Sequence, residues 1–445
     1  MEIFKSYDIR GIYPSELDGA MAARIGTAIA LFLAEKKEPK NIVIGRDMRA
    51  SGEEISSALI SALTTAGCKV WDLGLVSTDV VYFASGKYNL PGIMITASHN
   101  TAEYNGFKIV LSGARGVGQG SGMDRIEELC EKTQAAEIGQ AAIPETRNDI
   151  LSEYISYLKS QVNIDSTRTV KVVIDAGNGM AGKIIPLLTK DLPIEVEPLY
   201  FELDGSFPNH EANPLKPETL FDLQAKIRAG DYDLGIAFDG DADRAIFLDE
   251  KGNLIDSSQI ICLVAKTLLE KNPGSKILYN AVCSRAVPEI ITELGGEPVR
   301  ERVGHSFIKK TMREQDIIFG GEKSGHFFYR DLYFADSGFM TALLVWQIYS
   351  QQEKKMSELV RRYSRYYAIP ETNFAVADKE AVIGRLAGEY SDGQIDRLDG
   401  LTASYPDWWF NVRPSGSEPL LRLNLEANSE ELLNEKAAEI RGKII

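Results

Sequence analysis

Short hydrophobic runs rich in isoleucine and valine recur along the chain, and each ends in glycine and polar residues. They are NIVIGRD (41–47), GIMITASHN (92–100), VKVVIDAGNG (170–179), YDLGIAFDGDADR (232–244) and DIIFGGEKSGH (316–326). Runs without polar alternation read as strands buried on both faces, and helix-like segments often follow them. The pattern therefore predicts α/β units with mostly parallel sheets. Ligands in such sheets gather at the carboxyl ends of strands, where every one of these runs places its polar cluster. The second run stops at Thr96 and delivers Ser98.

The tail follows a different rule. From Leu401 the segments LTASYPD, WWFNVRPSGSEP and LLRLNLEA predict an antiparallel meander, with Leu421, Leu423, Leu425 and Ala427 on one face. Asn428 is expected to cap a following helix, helped by Glu431, with Leu433, Ala437, Ile440 and Ile444 as its buried stripe. Polar breaks near Pro144, Glu250 and Pro370 mark candidate domain boundaries. No residue-by-residue repeat accompanies the recurring strand pattern.

A chain of 445 residues with 44% hydrophobic and 25% charged content can bury several cores. Its net charge of −15 disfavours nucleic acid and anionic membranes as partners. Small phosphorylated ligands stay open, because salt screens distant charge beyond roughly 8 to 10 Å. Cys68, Cys130, Cys262 and Cys283 form no CxxC pair, so neither a zinc site nor a disulfide framework is indicated. The first residues, MEIFKSYDIRG, lack a signal pattern, and the longest apolar stretch, TALLVWQIY (341–349), is too short to span a bilayer. A cytoplasmic protein is expected.

DGDADR (239–244) carries three carboxylates at alternate positions directly after a strand-like run. In a loop, Asp239, Asp241 and Asp243 can converge on one point, and three hard oxygen donors suit a cation such as magnesium. An EF-hand would need glycine where Arg244 stands and a helix before the loop; a solvated acidic turn is the plainer alternative. Arg244 can offset part of the excess negative charge, and a phosphate oxygen would complete the cation's coordination. Phosphorylated Ser98 could supply it. A hydrolase reading of Ser98 and His99 fails for want of a G-x-S-x-G elbow, and GNGMAG (177–182) matches neither a P-loop nor a Rossmann fingerprint.

GGEKSGH (320–326) offers groups suited to hydrogen-bonding sugar hydroxyls or moving a proton, with a glycine-rich turn as the plain alternative. RPSGSEP (413–419) offers an arginine, two hydroxyls and free backbone N–H groups for a phosphate dianion, or is an ordinary hairpin turn. All four histidines, His99, His210, His305 and His326, fall in such polar clusters.

Taken in order, YDIRG (7–11), TASHN (96–100), YNGFK (104–108), DAGNG (175–179), FPNH (207–210), DGDADR, VGHSFIK (303–309), GGEKSGH and RPSGSEP resemble the α-D-phosphohexomutase superfamily, in its phosphomannomutase/phosphoglucomutase branch. Any one motif is weak, whereas the ordered set spans nearly the whole chain. The resemblance implies three related α/β domains with mixed, mostly parallel sheets and a smaller C-terminal α+β domain around a central cleft. With the breaks above, these are 1–148 with the phosphoserine loop, 149–250 with the metal loop, 251–368 with the sugar loop and 369–445 with the phosphate loop.

The resemblance further implies that Ser98 is the phosphoserine and that Mg²⁺ is held by Asp239, Asp241, Asp243 and a phosphoserine oxygen. Glu322 and Ser324 would meet sugar hydroxyls. Arg413, Ser415, Gly416 and Ser417 would grip the nonreacting phosphate, with His305, Arg244 and Tyr7 also on the phosphate side. Arg10, Lys108 and His326 match positions associated with acid–base or charge-stabilising work. The sequence departs from the pattern at Thr101, where many relatives have proline, and at Gly416 and Ser417, which replace a common asparagine–threonine or glycine–threonine pair. Val282 stands where some relatives place a phosphate-contacting lysine, with Arg285 as a possible substitute.

The expected activity is interconversion of hexose 6- and 1-phosphates through a hexose 1,6-bisphosphate, which also serves as activator. A small phosphosugar is the expected partner. A phosphoglucosamine mutase and a noncatalytic sugar-phosphate-binding protein of the same fold are the alternatives.

Overall fold

Among the described residues the chain forms four sheets, and three of them share one strand plan. In the first, Asn41–Arg46 lies between Lys69–Leu75 and Gly92–Ile95, parallel to both, and Tyr104–Leu111 then returns antiparallel beside Gly92–Ile95. In the second, Val170–Asp175 lies parallel between Ile194–Leu199 and Leu234–Phe238, and Ala245–Leu248 returns antiparallel. In the third, Lys276–Asn280 lies parallel between Glu297–Glu301 and Phe319–Gly321, and Phe327–Tyr329 returns antiparallel. The sheets are thus mixed and mostly parallel at their centres. This computed structural model describes residues 1–133, 143–165, 167–415 and 420–445.

The shared plan positions the chemistry. In each sheet the link from the last parallel strand to its antiparallel neighbour leaves the carboxyl end of a buried strand, where backbone groups point outward and ligands collect. Those links carry Ser98, the three aspartates of 239–243, and Glu322 to His326. The fourth sheet is antiparallel, and its turn after Trp408–Pro414 leads into Leu421–Ala427. Residues 416–419 of that turn, including Gly416 and Ser417, lie outside the described residues.

Leu421, Leu423, Leu425 and Ala427 share one core with Leu433, Ala437, Ile440 and Ile444 of the helix Glu430–Ile444, although Asn424 and Glu426 on the strand's other face are buried too. The cap moves by one residue. Ser429 accepts from the Leu432 N–H, while Asn428 donates from Nδ2 to Asp407 Oδ1 at 2.7 Å. The second unit also runs past the expected break at Glu250. Asp249 closes a turn through its carboxylate, and Leu254–Ile255 pairs with Ala245–Leu248 as the last strand of the second sheet. A turn-forming sequence here makes a hairpin within a domain rather than a linker.

The apolar run around 341–349 becomes the helix Gly338–Ser350, in which every residue is buried. A helix hydrophobic on all faces needs apolar neighbours all round. This one belongs to a continuous core that also contains Val172 and Ile174 of the second sheet and Tyr154 of the helix Asp149–Ser160. Among the described residues no helix is long and apolar enough to cross a membrane.

Candidate active site

Ser98 is held by a buried ion pair. Its backbone adopts φ 52°, the left-handed region, which costs a non-glycine residue on the order of 1–3 kcal/mol. Three side chains, Thr96, Asp47 and Arg49, fix that conformation. The Ser98 N–H donates to Thr96 Oγ1 at 2.8 Å, and Thr96 Oγ1 donates to Asp47 Oδ2 at 2.6 Å. The Arg49 guanidinium, fully buried against Asp47, donates to the carbonyls of Ser98 (2.9 Å), Asn100 (2.6 Å), Thr101 (2.7 Å) and Tyr104 (2.9 Å). Carbonyls of an irregular buried loop need donors, and one planar fork supplies several. Gly240 of the neighbouring loop packs on the Ser98 carbonyl so closely that a Cβ there would lie 2.7 Å away.

Ser98 Oγ donates to Asp239 Oδ2 at 2.9 Å and lies 3.3 Å from His99 Nδ1. Burial and the Arg244, Arg10 and Lys108 cations push the His99 imidazole well below its usual range. Arg10 spans the loop from the other side, donating to the Ala97 carbonyl at 3.2 Å and to Asn100 Oδ1 at 2.5 Å, and is paired with Asp8.

Asp239, Asp241 and Asp243 are fully buried and offer carboxylate oxygens all within 4.8 Å of one another. Lys108 Nζ bridges Asp241, at 2.6 Å, and Asp243. Burial disfavours the Lys108 charge, but the two aspartates outweigh it and hold the ammonium well above its usual range. Burial, together with Asp243 and Asp241, pushes the Asp239 carboxyl up to about 8. Two oxygens of the cluster, Asp241 Oδ1 and Asp243 Oδ1, are buried without a hydrogen-bond partner among the described residues. A hard cation satisfies such oxygens, so the donor set fits Mg²⁺.

The third loop meets the second directly. Arg244 and His326 pair as an isolated bridge, and the Ala245 N–H donates to the Gly325 carbonyl at 3.1 Å. Gly325, at φ 86°, makes the tight turn that a side chain would obstruct against Ile246. Arg244 Nε lies 3.6 Å from Asp239 Oδ2 and donates to His326 Nε2 at 2.8 Å. Glu322 is buried and accepts from the Gly304 N–H at 3.1 Å and from Asn280 Nδ2 at 3.2 Å, whereas Ser324 is half-buried. His305, next to Gly304, is driven down to about 3, mainly by burial.

Tyr7 reaches across from the first unit, donating to the Val303 carbonyl at 3.1 Å and lying 5.6 Å from the His305 ring. Arg413 is buried and lies 3.4 Å from Glu371, which also binds Asn424 and Arg422, and the Ser415 N–H donates to the Leu420 carbonyl at 2.8 Å.

Ser98, Arg10, Lys108, the three aspartates, Arg244 and His326 therefore form one cluster. Tyr7, His305 and Glu322 form a second, and Arg413 belongs to the C-terminal sheet. Two readings change. Arg285 donates to the Tyr405 and Pro406 carbonyls, at 3.1 and 3.0 Å, so its guanidinium is spent on a turn of the C-terminal domain. His210 is clamped between the Glu211 carbonyl (2.8 Å) and Asp175 (3.0 Å) and shapes the 175–179 turn.

Sequence reasoning missed Asp47, Arg49, Thr78 and Asp336. Thr78 donates to Asp241 Oδ2 at 2.5 Å. Asp47 and Arg49 follow a predicted strand, which was the available signal; Thr78 and Asp336 carried none.

The comparisons with known proteins agree along the whole length. Phosphoglucomutase/phosphomannomutase alpha/beta/alpha domains I, II and III match residues 1–137, 152–252 and 256–366, and the C-terminal domain of the same family matches 371–443. The chain is 38% identical over 437 residues to a phosphomannomutase of Salmonella typhimurium, covering 96% of this chain and 95% of that one. It is 37% identical over 448 residues to a phosphomannomutase/phosphoglucomutase of Pseudomonas aeruginosa, covering 99% and 95%. The crystal structure of a phosphoglucomutase/phosphomannomutase family protein from Burkholderia thailandensis superimposes with a TM-score of 0.90 at 33% identity, covering 100% and 97%. With four family domains in order and that depth of identity, this chain belongs to the phosphoglucomutase/phosphomannomutase family of mutases.

Proposed function

We propose that this mutase interconverts hexose 6-phosphates and hexose 1-phosphates, with mannose and glucose phosphates as substrates and Ser98 as the phosphoryl carrier. The observation that carries the reading is the placement of Ser98 Oγ, 2.9 Å from Asp239 Oδ2, beside a carboxylate cluster that Lys108 already neutralises in part. The names of the relatives at 37–38% identity support mannose and glucose over glucosamine.

In the forward half-reaction a sugar hydroxyl oxygen attacks phosphoserine; the new O–P bond forms as the Ser98 Oγ–P bond breaks, and the hydroxyl proton passes to a base. Lys108 and Arg244, beside the same carboxylates, would stabilise charge on the phosphoryl group in transfer. The product is a hexose 1,6-bisphosphate. It turns over in the cleft, and its other phosphate returns to Ser98 Oγ, regenerating phosphoserine. A free bisphosphate recharges enzyme that has lost its phosphate, which makes it the activator.

Asp239, Asp241, Asp243 and a phosphoserine oxygen would hold Mg²⁺, which supplies Lewis-acid neutralisation of the phosphoryl oxygens when bound. Glu322 and Ser324 read sugar hydroxyls, while Arg413, Ser415, Gly416 and Ser417, with His305 and Tyr7, hold the nonreacting phosphate. The four free cysteines fit a reducing cytoplasm.

Ser98→Ala tests the reading. The expected result is loss of turnover on mannose and glucose 1-phosphates with an unchanged melting profile, and loss of the phosphoserine mass after incubation with a hexose bisphosphate. A fully active Ser98→Ala protein overturns it.

A further inference from the structure

Two segments of the second unit, the turn 175–179 and the stretch 204–212, have no part in transfer as described so far, yet both lead to the Ser98 loop. They are tied to each other. Asn209 Nδ2 donates to Asn178 Oδ1 at 2.8 Å, the Asp204 N–H donates to the Asn178 carbonyl at 3.1 Å, and His210 Nε2 lies 3.0 Å from Asp175 Oδ2. Just after the turn, the Met180 N–H donates to the Gly240 carbonyl at 2.9 Å, and Gly240 is the residue that packs on the Ser98 carbonyl. From the other segment, the Phe207 ring lies against the Arg49 guanidinium, whose Cζ is 5.1 Å from the ring centroid, and Arg49 donates to the same Ser98 carbonyl at 2.9 Å.

The two units approach closely here. A Cβ on Gly205 would lie 2.5 Å from Arg49 Cα and 2.8 Å from the Met48 carbonyl oxygen, so glycine lets the stretch lie directly on the backbone that carries Arg49. Two residues on, Phe207 adopts φ 52°, a region that bulky side chains rarely enter. Its turn is closed by the Phe207 N–H, which donates to the Asp204 carbonyl at 3.1 Å, and the ring is 9% exposed. The donors of the Arg49 guanidinium lie in its plane, directed at Asp47 and four carbonyls, which leaves its flat face for a neighbour. An aromatic ring on that face attracts the cation and blocks the rotation that would redirect the fork.

We infer that Phe207 is a positioning residue for transfer: by covering the face of Arg49 it fixes the fork that holds the Ser98 carbonyl, so the unit that presents Asp239 also sets where the serine of the first unit stands. The spacing of Ser98 from the carboxylate cluster is then maintained by one tied pair of segments rather than by two loops independently. The effect on transfer rests on the proposed function; the ordering of the loop does not.

The test compares Phe207→Leu with Phe207→Tyr in the full chain. Both keep a side chain unbranched at Cβ at the same positive φ, so the backbone cost cancels, and only tyrosine keeps a ring face. In steady-state assays on mannose 1-phosphate, Phe207→Leu should lose about 10-fold in kcat with KM changed by less than about 2-fold, because a displaced nucleophile impairs transfer rather than binding. Phe207→Tyr should stay within about 3-fold of wild type. In an Arg49→Lys background, where the fork is already lost, Phe207→Leu should cost less than about 2-fold more. Deuterium uptake in peptides covering 96–104 should rise in Phe207→Leu while the strand Val170–Asp175 keeps its protection.

Wild-type kcat in Phe207→Leu overturns the inference, as does an equal fold-loss in the wild-type and Arg49→Lys backgrounds, or a Phe207→Tyr protein as slow as Phe207→Leu. Uptake unchanged in 96–104, or raised along the whole chain with a lowered melting temperature, makes Phe207 a packing residue only and overturns it too. Uptake reads the loop whatever Ser98 does chemically. A fully active Ser98→Ala protein, with uptake raised in 96–104 by Phe207→Leu, would end the phosphoserine reading and leave the loop's dependence on Phe207 standing.

Discussion

Ser98 and Asp239, 141 positions apart in sequence, meet at 2.9 Å because two hairpin links from two different sheets pack face to face. Phosphorylating Ser98 replaces that hydroxyl donor with a dianion beside three buried carboxylates. A divalent cation would supply the counter-charge that Lys108 and Arg244 do not provide. Chelation with EDTA should abolish mutase activity and Mg²⁺ should restore it. Mg²⁺ should also raise the melting temperature of the phosphorylated protein more than that of Ser98→Ala, measured by differential scanning calorimetry. An equal shift in both would remove the phosphoserine from the cation's ligand set.

Arg49 serves four loop carbonyls at once and is fully buried with Asp47. Arg49→Lys keeps the charge and loses the fork, so it should cost several hydrogen bonds. Arg49→Ala leaves Asp47 unpaired in the interior and should cost about 3–5 kcal/mol in denaturant unfolding. Both variants should lower kcat. Wild-type kcat in Arg49→Lys would show that the loop keeps Ser98 in place without the fork.

Asp79 gives a pH dependence with a defined sign. Burial pushes its carboxyl up to about 7, against the donations of Ser77, Tyr154 and Ser337 that favour the ionised form. The folded value lies above the unfolded one, so the folded state binds more protons between them. Stability from this group is complete below the ordinary carboxylate range and is lost as pH rises through about 7. Asp79→Asn cannot titrate. Its stability relative to wild type should therefore improve from acid to pH 8 by up to about 4 kcal/mol, measured by urea unfolding at several pH values. A pH-independent difference would contradict this assignment.

Arg413 Nε is buried without a hydrogen-bond partner among the described residues, and Nη2 of the guanidinium lies 3.4 Å from Glu371. If it grips the nonreacting phosphate in both substrate orientations, Arg413→Gln removes one charge-assisted interaction. KM should rise about 10- to 100-fold with a smaller effect on kcat, because that contact is made equally in ground and transition states. An unchanged KM for the sugar phosphate would place the phosphate elsewhere.

Much of the scaffold was legible in the chain because buried parallel strands need continuous apolar runs, and each run's end was marked by glycine and polar residues. Asn41–Arg46, Val170–Asp175 and Leu234–Phe238 all form where the runs predict them. The errors fell where local signals compete. Glu250 lies in a turn, and nothing local distinguishes a turn inside a hairpin from one between domains. Asn428 and Ser429 are both good caps, and the bond from Asn428 to Asp407 decided which of them serves.

The sequence by itself determined the strand ends and the residue types presented at them: a serine after one strand, alternating aspartates after the next, a glutamate and a histidine after the third. Those are local properties, set by hydrophobic period and loop composition. Only the tertiary structure decided which groups share a charge. Lys108 bridges Asp241 and Asp243, Arg49 collects four carbonyls, and Lys309 reaches His326 through Asp336. These are contacts over long stretches of chain between groups whose burial makes partnership compulsory. Electrostatics acts through space rather than along sequence, and a lone buried lysine or aspartate looks the same in the chain whether its partner is a neighbour or lies in another domain.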